Sequence, residues 1–327
     1  MMKNYAFILY VLILAVLQTA CSQEEKNFTV QTEDLPPQKT ETFSAGGQNF
    51  TIIPFYEETL DYIEVVEENS LLNTLGTYRY TVKDPMLDRM SEQKMILNMD
   101  IPASVTITQR INELKEKTAQ LIRDQDKTNA AIQGALDAST GLLSGGDKTF
   151  YVLPVNPDLP MEGMGGVAAW TLDENVILLL LDPSYKEDRL SYTIAHEYHH
   201  AVSMESDPIY DSLLDFVLFE GKGDAFAQNV YPDVKIPWTT KVKDIELEVA
   251  FSQLEAAGMT AEMELYHSWE LGDPAMNIPR WANYKMGNLI MQSYLENHPG
   301  VPIGEWTSLG AEELVRESDY EKLLADF

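Results

Sequence analysis

A His-Glu-x-x-His pattern at 196–200 constrains this chain more than any other feature. The 327 residues contain 5 histidines, and His196 and His200 stand one helical repeat apart. On a helix, residues with that spacing share a face, so both imidazoles can aim a nitrogen at one metal ion. Glu197 lies beside that face, where it can take a proton from a water activated by the metal. His199 points away from the pair. The competing reading is a surface helix with incidental histidines, which would leave the pattern downstream unexplained.

A catalytic zinc needs three protein ligands and an open position for water. His196 and His200 supply two, and we expect Glu220 to be the third. The segment 213–227 is apolar on most sides, and a carboxylate in such surroundings needs a partner because burying it alone is costly. Phe216, Glu220 and Asp224 fall on one helical face. Asp224 is therefore expected to accept a hydrogen bond from the remote ring nitrogen of a liganding histidine. Gly221 and Gly223 are poor helix formers, and they make sense where two helices approach closely.

Strands are expected at 149–153, 167–171 and 176–181, the last two forming a hairpin around Asp173-Glu174-Asn175. Asp182-Pro183-Ser184 ends the sheet, and Ser184 with Glu187 fits a capping box opening the helix that carries His196 and runs to about Met204. Residues 105–140 read as helical, with Ile107, Ile111, Leu114, Leu121 and Ile122 at core spacing. Further helices are expected near 212–228, 241–257, 260–271, 281–297 and 311–325. Phe50 to Phe55 reads as a short extended segment or a helix lead-in. The expected class is α+β, with a small strand-rich N-terminal lobe, a mostly helical C-terminal lobe and the metal helix at their junction.

The N-terminus carries a second signal. Lys3 precedes an apolar run of about 13 residues, 5–17, and then Gln18-Thr19-Ala20-Cys21. The run is too short for a comfortable transmembrane helix, which needs about 20 residues, and it fits a secretory signal. It resembles a bacterial lipoprotein signal, in which the cysteine becomes the lipidated first residue, although Gln18 stands where an aliphatic residue is usual. The alternative is a soluble secreted protein with a chance cysteine at the cut. The expected organisation is a signal peptide over 1–20, a flexible tether over 21–49 containing Pro36-Pro37 and Gly46-Gly47, and a folded domain over 50–327. This places the protein outside the bacterial cytoplasm, lipid-anchored to the membrane through Cys21, the single cysteine. The net charge of −29 argues against nucleic acid as a partner. It serves solubility, or attracts basic peptides.

His-Glu-x-x-His followed on a second helix by Glu-x-x-x-Asp resembles the gluzincin zinc metallopeptidases, of which thermolysin is the familiar member. The wording Thr193-Ile194-Ala195-His196-Glu197-Tyr198-His199-His200, then Phe219-Glu220-Gly221-Lys222-Gly223-Asp224, is similar to an uncharacterised bacterial family of predicted zinc-dependent proteases. The resemblance implies a zincin-like domain holding one zinc per chain on His196, His200 and Glu220. Glu197 would be the general base, and Asp224 would support His196. It also implies an edge strand that holds a peptide or protein substrate by strand addition; by order in the chain this is Gly166, Val167, Ala168 and Ala169. A downstream Tyr or His would donate to the oxyanion, with Tyr284 preferred and His267 second. A non-catalytic zinc-stabilised or peptide-binding lipoprotein is the alternative on the same scaffold. Glu197 argues against it, because a purely structural metal site has no use for a base.

Overall fold

The computed structural model describes residues 34–93, 95, 101–161, 163–206, 211–239, 244–257 and 263–324. Its centre is a five-stranded mixed sheet in the order β1-β2-β3-β5-β4: β1 (Glu41–Ala45), β2 (Gln48–Pro54), β3 (Lys148–Pro154), β4 (Val167–Asp173) and β5 (Val176–Leu181). β2, β3 and β5 run parallel, while β1 and β4 are antiparallel to their neighbours and form the two edges. β5 reads Val-Ile-Leu-Leu-Leu-Leu and is buried throughout. An unbroken apolar run of this kind belongs to a strand covered on both faces, and each buried leucine contributes roughly 1.5–3 kcal/mol.

Alternation along the strands divides the core in two. Phe50, Ile52, Phe150, Val152, Ile177, Leu179 and Leu181 face the helices that carry the candidate site. Ile53, Tyr151, Leu153, Leu178 and Leu180 face α1 (Tyr56–Glu68), α2 (Asp84–Glu92) and the first half of α3 (Ile111–Arg123). α4 (Gln125–Thr140) packs against α5 (Glu187–Met204), and α5 against α6 (Leu213–Val230). Further helices follow in the C-terminal part: α7 (Asp244–Ala257), α8 (Met263–Leu271), α9 (Ala282–Asn297), α10 (Ile303–Ser308) and α11 (Ala311–Arg316). The result is α+β, strand-rich toward the N-terminus and mostly helical toward the C-terminus, as expected. No helix among the described residues is long and apolar enough to cross a membrane.

Three local expectations need correction. The expected tether runs into the fold, because β1 pairs with β2 and Phe43 stacks on Phe50 at 5.4 Å. Gly46 and Gly47, both at positive φ, form the tight turn of that hairpin instead of a flexible linker. The capping box does not form: the Ser184 N–H and hydroxyl both donate to Asp182 Oδ1, and α5 begins only at Glu187. The helical stretch at 105–140 is two helices, interrupted at Asp124. The expected signal at 1–20, Cys21 and the tether as far as Glu33 lie outside the described residues.

Candidate metal centre and its surroundings

α5 and α6 cross so that three ligand atoms face one another. His196 Nε2 lies 2.8 Å from His200 Nε2, and Glu220 Oε2 lies 3.1 Å from the first and 3.4 Å from the second. All three side chains are buried. Among the described residues this is the one group of His, Cys, Asp and Glu donors arranged to hold a metal ion, and it has three members. α6 is apolar on most of its surface, which is why it lies inside the molecule; its N-terminus is held by Ser212, whose hydroxyl accepts from the Asp215 N–H at 3.1 Å. Gly223 permits the crossing. A Cβ there would stand 2.7 Å from His200 Cε1 and 2.8 Å from His196 Cε1. Gly221 faces the other way and lets α6 meet Gly287 of α9.

The electrostatics call for a cation. Asp224 is fully buried beside His196, with Oδ1 3.2 Å from Nδ1 in an ion-pair contact lacking hydrogen-bond alignment. Two acidic side chains buried beside two imidazoles form a polar cluster that is costly to bury without partners, and a cation would complete it. Burial alone pushes the Glu220 carboxyl up, but His196 and His200 outweigh it and hold it down at about 2. Burial disfavours charge on His196, and Asp224 and Glu220 outweigh that, pushing the imidazole well above its usual range. His200 Nδ1 has no hydrogen-bond partner among the described residues. Ligands of a tetrahedral zinc at about 2.0–2.1 Å stand about 3.3 Å apart. The three atoms already sit near that spacing, so the residues fit zinc.

Glu197 follows His196 on α5 and turns toward β4, where its Oε2 accepts the Thr171 hydroxyl at 2.8 Å. The same hydroxyl reaches the Glu197 main-chain oxygen at 3.0 Å. Thr171 thus fixes the rotamer of Glu197. Nothing in its sequence context marks it: a threonine in a strand is ordinary, and only the packing of α5 on the sheet brings the two together.

Among the described residues, β4 is the free edge of the sheet on this side. The Gly166 carbonyl accepts the Asp182 N–H at 2.9 Å. In an antiparallel ladder, Ala168 and Trp170 then bond toward β5, while Val167, Ala169 and Thr171 turn N–H and C=O outward. Val167 and Ala168 pack their side chains into the two halves of the core. Gly166 has φ +83°, and a side chain there would strike the Tyr185 backbone at 2.8 Å, so it shapes the turn into β4.

The two oxyanion candidates separate. The Tyr284 ring stacks on His196 at 6.0 Å between centroids, which brings Tyr284 to the cluster. Burial first, then the charges of Glu220, Glu270 and Glu197, push its phenol well above the usual range. His267 is not brought to the cluster: its side chain is 60 % exposed, with Nδ1 3.8 Å from Glu270 Oε2. Its neighbour Tyr266 reaches the site instead, donating to Glu220 Oε1 at 3.3 Å. Adjacent residues on a helix point about 100° apart, so only one of the two can face the centre.

Residues 128–316 match a family of predicted Zn-dependent proteases, DUF2268, and the chain belongs to that family. The uncharacterized protein YjfC of Bacillus subtilis (strain 168) is similar to it, 24% identical over 168 residues, which is 47% of this chain and 54% of YjfC. The chain thus spans about half the length of that curated relative. No solved structure matches the chain.

Proposed function

We propose that the protein is a zinc-dependent peptidase of the gluzincin type, with Glu197 as general base. The observation that carries this reading is the donor count: among the described residues, His196, His200 and Glu220 converge as three ligand atoms. Structural zinc sites take four protein ligands, while catalytic ones take three and keep a position open. When bound, zinc supplies a Lewis acid that polarises a carbonyl and lowers the pKa of water. Glu197 takes the proton of the attacking water at its carboxylate and passes it to the leaving amine. Thr171 keeps that carboxylate aimed. The outward N–H and C=O groups of Val167, Ala169 and Thr171 hold an extended peptide backbone as an added strand. Tyr284 donates its hydroxyl to the oxyanion.

The test is cleavage of a mixed peptide library by the soluble domain, with and without a zinc chelator, using wild type and Tyr284→Phe. Cleavage should vanish with the chelator and return with zinc. Tyr284→Phe should lower kcat by about 10²-fold with KM nearly unchanged, because an oxyanion donor acts mainly in the transition state. An intact kcat would remove Tyr284 from the mechanism. A wild type that binds zinc yet cleaves nothing would favour the non-catalytic alternative.

We also propose that the domain is tethered outside the cytoplasm by a lipid on Cys21. Mass spectrometry of the mature N-terminus from a membrane fraction tests this, and an unmodified Cys21 would refute it. Cys21→Ser should release the protein or leave its signal uncut.

A further inference from the structure

Trp238 follows α6 in a short 3-10 turn, Pro237–Thr239, and nothing in its sequence context assigns it a role. Its indole Nε1–H donates to Asp224 Oδ2 at 2.8 Å. The other oxygen, Oδ1, accepts the Tyr192 hydroxyl at 2.9 Å and faces His196 Nδ1 at 3.2 Å. Asp224 is therefore held by a donor from each side, and its carboxylate cannot rotate without breaking one of them. Tyr192 lies one turn before His196 on the same face of α5, whereas Trp238 comes from a different segment.

The ring of Trp238 has a second set of contacts. It packs against Tyr284 at 5.0 Å and Trp281 at 5.1 Å between centroids. Tyr284 in turn stacks on His196. Trp281 sits in the left-handed region at φ +60°, which is uncommon for a bulky residue. Its N–H donates to the Glu270 carbonyl at 3.0 Å, and the Arg280 guanidinium covers its ring at 4.4 Å. A strained conformation persists only where its surroundings hold it, and these contacts hold the wall against which Trp238 rests.

We propose that Trp238 is a positioning residue for the metal centre. Its indole N–H fixes Asp224 so that Oδ1 stays aimed at His196, and its ring backs Tyr284, so one side chain orients both a ligand's support and the oxyanion donor. This rests on the zinc reading above. Outer partners of this kind change metal affinity by about 10–100-fold when removed. Trp238 acts through Asp224, so the low end applies.

The test reads metal binding and does not depend on cleavage. Zinc affinity is measured by competition with a chromophoric chelator for wild type, Trp238→Phe and Tyr192→Phe, and apo-protein melting is recorded for each. Trp238→Phe keeps an aromatic ring against Tyr284 and Trp281 but removes the N–H. It should weaken zinc binding by about 10-fold while the apo protein stays folded and loses less stability than affinity. In wild type, zinc should slow hydrogen exchange of the Trp238 indole N–H. Unchanged zinc affinity in Trp238→Phe would overturn the proposal, and so would an affinity loss matched by an equal loss of apo stability, since that is what mere packing produces. If wild type itself binds no zinc, the metal reading fails, which is a different outcome. Should Trp238→Phe fail to fold, the indole exchange measurement on wild type still decides: no slowing with zinc counts against the coupling.

Discussion

Purified Glu220→Ala protein is expected to carry no zinc, where wild type should carry one ion per chain. Glu220 is the one candidate ligand that comes from α6; the other two share α5. Two imidazoles from one helix leave a divalent ion with half its coordination and without the anionic ligand that balances its charge. The loss should therefore exceed the about 10–100-fold typical of an outer partner. Metal analysis after dialysis against a weak chelator measures it. The fold should persist, because removing one buried carboxylate also removes repulsion with Asp224, and the α5–α6 contact rests on Gly223 and the surrounding core. Circular dichroism of the variant should match that of apo wild type. Full zinc occupancy in Glu220→Ala would place the third ligand elsewhere.

Glu197→Gln should do the reverse, keeping the metal and losing turnover. Glutamine matches glutamate in shape, and its amide oxygen can still accept the Thr171 hydroxyl that reaches Glu197 at 2.8 Å. What disappears is a group able to take and return a proton. General acid–base groups contribute about 10²–10⁴-fold, and that is the expected drop in kcat, with KM changed little. Zinc content and melting temperature should match wild type. An equally active variant would end the role of Glu197 as base. The two substitutions thus separate holding the metal from using it.

Much of the arrangement is visible along the chain because it depends on local geometry. The 3.6-residue repeat alone puts His196 and His200 on one face, and Glu220 with Asp224 on another. The hairpin of β4 and β5 follows from Asp173-Glu174-Asn175 between two apolar runs, and burial of β5 follows from its unbroken leucines. The glycines at 221 and 223 announce close helix approaches, but not which ones: Gly223 meets the imidazoles and Gly221 meets α9.

Other features of the sequence are compatible with two local structures, and packing chooses between them. Gly46-Gly47 suits a flexible linker and a tight hairpin turn equally; the choice depends on whether Phe43 finds Phe50, a contact across strands. Ser184 can cap a helix or bond back to Asp182, and here Asp182 is already held in place by its ion pair with Lys117. His267 carries the more obvious chemistry, yet α8 is rotated so that Tyr266 reaches Glu220 and His267 meets solvent.

By itself, then, the sequence determined the candidate metal-binding face, the carboxylates that answer it and the class of fold, since each follows from spacing within one element and from which residues tolerate burial. The tertiary structure alone decided that Thr171 steadies Glu197, that Tyr266 reaches Glu220, that Trp238 clamps Asp224 and that β4 lies at an open edge. Those pairs are separated by 14 to 46 residues along the chain. Their meeting is set by how helices pack on the sheet, which no local repeat encodes.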